Sequence, residues 1–337
     1  MGASPLRRAL PAIVGIVLSL ALLAWALRGV RLADVAHHLR AAEPGPLAAA
    51  VVLATLTFPL RLVRWRLLFR RENGHPYPSG PLWHAIAVGF MANNLLPLRA
   101  GELVRSYTAS RLAGARFTTV LSSVAVERIF DAITIVALLT LALLSPDLPS
   151  SVTVGGTSVV HLARVAGVVA AVGLLTAIAI VAAPLTAERL VRHLVRSSHV
   201  ADRIVSLIEA IRQGLSVLRT PERLAAVVFW SLVLWLMNAL GFYVGFAAFH
   251  IPVSYLGALL MQGLLILGIS IPSTPGFFGP FEAVIVAVLA LYGIPHDVAF
   301  SYAIAFHVTS FVPITLLGLW SLTRIPGGFK GLRRIAS

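Results

Sequence analysis

The sequence predicts an all-α polytopic membrane protein, with six full transmembrane helices and two re-entrant helical hairpins arranged as an inverted repeat. Three observations lead there. The 337 residues are 58% hydrophobic and 12% charged, with a mean hydropathy of +0.90, whereas a soluble domain carries about 25% charged residues. Apolar runs near the roughly 20 residues needed to cross a bilayer recur along the chain. Two further apolar stretches are broken by Pro, Gly and ionisable residues that a lipid-facing helix would not carry. The period-2 alternation of an outer-membrane barrel is missing, and no soluble stretch is long enough for a separate catalytic domain, so 1–337 reads as one transmembrane domain.

The first span is expected at 10–27. Arg7 and Arg8 before it and Ala24-Trp25-Ala26 at its end also fit a cleaved signal peptide. The length of the apolar stretch and the polytopic chain behind it favour an uncleaved helix. "LADVAHHLRAAE" follows as a possible surface helix. The second span, 46–68, ends in Arg61, Arg64, Arg66, Arg70 and Arg71, which we read as a cytoplasmic marker under the positive-inside rule. Residues 82–112 are the first broken stretch: Pro97 and Gly101 interrupt the helix, giving a hairpin that enters and leaves on the cytoplasmic side. Non-helical backbone at that depth is tolerated only where protein or a water-filled cavity surrounds it.

Spans at 118–144 and 161–183 come next. In 187–219, Ile204, Ile208, Ile211, Leu215 and Leu218 make one helical face among arginines. That pattern predicts a basic amphipathic helix on the anionic leaflet. Thr220-Pro221-Glu222 should start the next helix, with Thr220 as N-cap. A span at 223–249, a second hairpin at 255–292 entered from outside, and a last span at 297–322 complete the chain. Pro272, Pro275, Gly276, Gly279 and Pro280 break the second hairpin. The units 46–144 and 223–322 are each span, hairpin, span, in opposite orientation. This is the plan of many secondary transporters, whose sites lie where broken helices meet; two Pro-kinked helix pairs are the plainer alternative. Both termini fall on the cytoplasmic side of a cell (inner) membrane.

The net charge of +14 would suggest nucleic acid in a soluble protein. Here the arginines lie mostly between spans, where they set topology and meet anionic headgroups, so nucleic acid is not expected as a partner. The absence of Cys excludes disulfides and thiolate chemistry. No intramembrane His pair suggests a metal, "PGFFG" lacks the Lys-Ser/Thr of a nucleotide loop, and no nucleophile elbow is present. Neither metal nor cofactor is expected.

Ionisable groups inside spans cost roughly 2.5–3.5 kcal/mol each on the insertion scale and are functional candidates for that reason. Arg99, Glu102 and Arg105 lie three apart on one helical face. Glu102 can pair with either arginine, which leaves one guanidinium for a phosphate. Asn93 and Asn94 can cap the broken helix or bond a headgroup. Glu127 and Asp131 share a face, with Arg128 beside them as the best phosphate contact; a Glu near other acids can also carry a proton. Glu282, the only acid of the second hairpin, must pair, protonate or meet a cation. Pro97, Gly101, Pro272, Pro275, Gly276 and Gly279 shape the two turns. His307 is a weaker candidate, and Asn238 and Gln262 read as interhelical hydrogen bonds. For each cluster the competing reading is a structural ion network that locks helices together.

Three motifs, "NNLLPLRAGELVRSY" (Asn93 to Tyr107), "VERIFD" (Val126 to Asp131) and "PSTPGFFGPFEA" (Pro272 to Ala283), resemble a flippase-like integral membrane family that includes the transmembrane region of lysylphosphatidylglycerol synthase. The resemblance runs from about residue 10 to 322. It implies movement of lipids or lipid-linked headgroups between leaflets. With no ATP site visible in the sequence, the expected energy source is the substrate gradient or protons; the expected partners are lipids with phosphate-bearing or aminoacylated headgroups, and the expected protein is a transporter, not an enzyme, that can be a homo-oligomer. In bifunctional members a soluble aminoacyl-transferase domain follows the membrane part; this sequence shows no such domain. Two rival classes stay open: an intramembrane enzyme acting on lipid phosphates, and a non-catalytic partner that recruits a transferase.

Overall fold

A computed structural model describes residues 5–71, 73–96, 100–144, 220–270 and 274–325, with isolated positions between 145 and 219. The predicted span 161–183 and the basic segment 187–219 lie almost wholly outside the described residues, as do Pro97, Arg99 and Pro272. Ten α-helices are described: α1 (Pro5–Ala26), α2 (Leu32–Ala41), α3 (Pro44–Leu68), α4 (Ser79–Leu95), α5 (Gly101–Ala113), α6 (Phe117–Leu143), α7 (Pro221–Ala247), α8 (Tyr255–Ile269), α9 (Pro280–Leu291) and α10 (His296–Thr323). The only described strands are a two-residue antiparallel pairing of Thr153–Val154 with Thr157–Ser158.

Local chemistry sets these boundaries. Pro44, Pro221 and Pro280 stand in the first turns of α3, α7 and α9, where the missing N–H has no intrahelical partner to lose. Thr220 occupies the N-cap of α7 as expected, but its hydroxyl makes no capping bond. Ser254 does cap α8, accepting from the Gly257 N–H at 3.3 Å.

Three helices, α3, α7 and α10, are long and apolar enough to cross a membrane. Helix α6 is as long as α7 at 27 residues, but Glu127, Arg128 and Asp131 interrupt its apolar character. The arms of the two broken stretches are 17, 13, 15 and 12 residues long. At 1.5 Å per residue they reach about 18–26 Å, short of the ~30 Å hydrocarbon core.

Packing pairs come in matched sets. Helix α3 packs on α4 as α7 does on α8; α4 on α5 as α8 on α9; α5 on α6 as α9 on α10. Across the units, α4 packs on α10 as α8 does on α6, and α3 packs on α7. Helices α3 and α7 run antiparallel: the Glu43 N–H donates to the Ala248 carbonyl at 2.9 Å, while Arg64 meets Ser231 at 3.2 Å. The 3-10 turn Pro275–Phe277 between α8 and α9 rests on α4. Helix α1 closes this turn from outside, its Ser19 hydroxyl accepting from the Thr274 N–H at 2.9 Å.

Glycine permits the closest of these contacts. A Cβ on Gly101 would collide with the Gly89 carbonyl oxygen and the Asn93 side chain, so the first hairpin closes backbone against backbone. We expect Gly101→Ala to destabilise the protein by ~1–3 kcal/mol, the usual range for overpacking a core. Gly45→Ala, where nothing lies within 4 Å, should leave stability almost unchanged. Thermal unfolding of both variants in detergent checks the contrast.

Candidate functional site

The polar residues of the first unit converge on one carboxylate. Glu127, fully buried in the middle of α6, faces Arg105 of α5, which donates from both terminal nitrogens at 2.9 and 2.8 Å. Its Oε1 also accepts from Arg128 at 2.8 Å and lies 3.3 Å from Arg64 of α3. Three guanidiniums around one carboxylate make a site for an ionised glutamate, so the expectation that Glu127 carries a proton does not hold. One turn along, Asp131 accepts from Arg64 at 2.6 Å and from the Trp235 indole at 2.9 Å, with Arg128 at 3.1 Å. The Arg105 guanidinium lies over the Trp65 ring at 3.8 Å.

The cluster has a sealed side and an open side. Arg64, Glu127, Asp131 and Arg105 are at most 4% exposed at their side chains. Arg128 and Glu102, paired at 3.6 Å, are 38% and 39% exposed. Among the described residues, Glu102 therefore turns to the next helix for its partner, not to Arg105 on its own helix.

Sequence reasoning treated Arg61 and Arg64 as cytoplasmic markers. The structure corrects this: both are buried, and Arg64 is wholly so. Arg61 lies over Phe90 at 4.8 Å and Trp235 at 5.6 Å, within electrostatic reach of Asp131, Arg128, Arg64 and Glu127. It makes no ion pair among the described residues. Among the described residues, four guanidiniums (Arg61, Arg64, Arg105, Arg128) thus face three carboxylates (Glu102, Glu127, Asp131), one positive charge more than negative. Cation–π contact contributes about 2 kcal/mol when desolvated, much less than a buried charge needs to be at ease.

The asparagines serve the first hairpin. Asn93 accepts from the Gly101 N–H at 2.9 Å, capping α5 across the turn. Asn94 donates to the Thr315 hydroxyl at 2.9 Å and faces the Phe311 carbonyl at 3.4 Å. Phe311 in turn covers Gly276 and Phe278 of the second turn, so both hairpins lean on this part of α10.

In the second unit Glu282 finds its partner in His307. The His307 Nδ1 lies 2.6 Å from Glu282 Oε1, and its Nε2 lies 2.8 Å from the Gly276 carbonyl. The other oxygen of Glu282 accepts from the Gly279 N–H at 2.7 Å. Gly276 and Gly279 have φ of 72° and 98°, a region that glycine enters without strain. A Cβ on Gly279 would also strike the Ser19 carbonyl. Pro275 opens the 3-10 turn. The structure thus brings Glu102, Arg105, Glu127, Arg128 and Asp131 together, and joins Glu282 and His307 in a separate pair. No group of three or more metal-ligating side chains occurs among the described residues.

A family model described as the lysylphosphatidylglycerol synthase TM region matches residues 12–318, and the chain belongs to that family of membrane proteins. Glycosyltransferase AglD of Haloferax volcanii is 32% identical over 133 residues, 40% of this chain and 21% of that protein, so the match spans about a fifth of AglD. Two UPF0104 membrane proteins of Methanothermobacter thermautotrophicus are 26% identical over 300 residues (85% of each chain) and 24% identical over 302 residues (81% of each).

Removing one partner of a buried ion pair leaves the other uncompensated, at about 3–5 kcal/mol. Arg64→Ala should therefore unfold near that cost, and Arg64→Ala combined with Asp131→Ala should recover part of the loss. A double-mutant cycle on thermal stability in detergent measures the coupling.

Proposed function

We propose that this member of the lysylphosphatidylglycerol synthase TM-region family moves a lipid, or the headgroup of a lipid-linked intermediate, between the leaflets of the cell membrane. Residues 46–144 and 223–322 act as an inverted repeat with both termini cytoplasmic. The hairpins α4–α5 and α8–α9 are re-entrant, and the broken helices form a polar path for the headgroup while the acyl chains stay in lipid. The energy comes from the substrate gradient or from protons.

One observation carries this reading. Among the described residues the charge cluster of α3, α5 and α6 is one carboxylate short, and the surplus belongs to Arg61, held between aromatic rings with no ion pair of its own. A phosphate-bearing headgroup supplies the missing negative charge. The half-exposed Arg128–Glu102 pair is the way in, since a phosphate can displace Glu102 from Arg128 with no buried group to uncover. The geometry favours transport over lipid-phosphate hydrolysis because Glu127 and Asp131 are committed to guanidiniums, not set to activate a nucleophile.

The partial match to a protein named a glycosyltransferase favours one other reading, in which the chain recruits a transferase that uses the lipid, through the basic segment 187–219.

Proteoliposomes carrying fluorescent phospholipid or polyprenyl-phosphate analogues, with a reductant added outside, separate these readings. We expect the wild type to speed movement of one lipid class. Arg61→Met should slow it by about tenfold or more, the effect of losing ~1.4 kcal/mol or more of a charge-assisted contact. Because Arg61 has no ion-pair partner to orphan, this variant should stay as heat-stable as the wild type. Wild-type rates in a folded Arg61→Met variant would sink the anion-site reading.

A further inference from the structure

We infer that Glu282 and His307 form a site for one exchangeable proton, and that this proton latches the second hairpin to α10. The proton count follows from the contacts. A carbonyl oxygen only accepts, so the His307 nitrogen 2.8 Å from the Gly276 carbonyl must carry hydrogen. A backbone N–H only donates, so the Glu282 oxygen at 2.7 Å from Gly279 must accept. The remaining gap, Nδ1 to Oε1 at 2.6 Å, is a hydrogen bond only with one proton in it. That proton resides on Nδ1, making an imidazolium–carboxylate pair, or on Oε1, making two neutral groups. In both cases the pair is uncharged overall, as its burial requires: the side chains are 4% and 0% exposed.

The surroundings pack closely on the pair without adding a competing charge. His307 stacks on Phe281 at 4.0 Å and on Phe278 at 4.4 Å, and aromatic faces attract a cation. Glu282 sits in the first turn of α9, where the helix dipole favours an anion. Helix α8 brings one titratable group, the Tyr255 phenol at its start, which donates to the Leu236 carbonyl at 2.7 Å; the described side chains of α1 bring none. Helix α4 brings His84, which lies beside Trp320, about 20 Å along α10 from His307. On α10, His296 and Asp297 stand about 15 Å away, engaged with the Ala26 carbonyl and with His38 of α2. Asp34, His37 and Arg40 of α2 accompany His38; Glu222 and Arg223 are in the first turn of α7, and on α3 Arg61, Arg64 and Arg66 belong to its arginine-rich end. No ion pair joins any of them to the dyad.

The balanced step is loss of the proton from between Nδ1 and Oε1. It leaves a carboxylate and an Nε2–H imidazole, with net charge falling from zero to minus one. A nitrogen lone pair then faces a carboxylate oxygen at hydrogen-bond distance, and the contact turns repulsive. The same pair holds both ends of the turn, Gly276 and Gly279, to α10. Proton loss therefore frees the hairpin. That this release couples protons to lipid movement rests on the transport reading above; the proton site itself does not.

Two variants separate the outcomes. Glu282→Gln copies the protonated latch: its amide donates to Nδ1 and its carbonyl accepts from Gly279, but no proton can leave. His307→Phe removes the latch. The absence of cysteine lets one be introduced at Ala283, a buried position beside Glu282. Labelling is measured in nanodiscs against pH and normalised at each pH to the unfolded protein. Nitrogen NMR of histidine-labelled protein follows Nδ1 and Nε2 of His307, identified by difference from His307→Phe. We expect wild-type labelling to rise several-fold as pH increases, in step with loss of the Nδ1 proton while Nε2 keeps its own. Glu282→Gln should stay protected at every pH, and His307→Phe should be open at every pH. An unchanging His307 signal, or a Glu282→Gln variant that opens with pH like the wild type, overturns the proton site. If the latch titrates but no lipid moves in the proteoliposome assay, transport fails and the proton site stands.

Discussion

The carboxylate of Glu127 holds the first half of the molecule together. It is buried in a helix surrounded by other helices and takes guanidiniums from α3, α5 and α6 at once. Such a group is tolerable in an apolar interior only when every oxygen is matched, because the desolvation of an isolated carboxylate exceeds anything packing can return. The three helices are thus fixed relative to one another by a requirement and not merely by a preference. Trp235 and Ser231 extend the constraint to α7 through Asp131 and Arg64, and with it to the second unit.

The two units carry different electrostatics in corresponding places. In each, the second hairpin arm is tied to the long helix that follows it: Arg105 to Glu127 in one, Glu282 to His307 in the other. The first tie is a two-pronged pair of a guanidinium and a carboxylate. The second is a single hydrogen bond between a carboxylate and a histidine. One hairpin is therefore anchored by an arginine–carboxylate pair, and the other by a hydrogen bond that requires one shared proton.

Much of this was legible in the sequence, and the failures have physical causes. Apolar length and broken stretches located the helix boundaries to within a few residues: 82–112 against Ser79–Leu95 and Gly101–Ala113, and 255–292 against Tyr255–Ile269 and Pro280–Leu291. Glu102, Arg105, Glu127, Arg128 and Asp131 stood out because charge inside a span is conspicuous. Arg61 and Arg64 were hidden by company, since they lead into Arg66, Arg70 and Arg71 and look like the start of a cytoplasmic run. A finer signal was available: Phe58, Arg61, Trp65 and Leu68 recur at three- and four-residue steps and are all buried, so helical periodicity places Arg61 inward. The partner of Glu282 was out of reach for another reason. Sequence shows that a lone buried acid must pair, but the choice of His307 depends on how the turn folds back onto α10.

The contact between α1 and the second hairpin turn has a consequence for how the chain is made. Ser19 meets Thr274 and crowds Gly279 across 255 residues of sequence. At ribosomal rates of roughly 5–20 residues per second, the first helix waits on the order of tens of seconds in the membrane before the segment it seals has been synthesised. Through that interval the Ser19 face of α1 has no native partner. Assembly of the second hairpin is therefore a late event, completed only when α1 meets the turn that precedes α9.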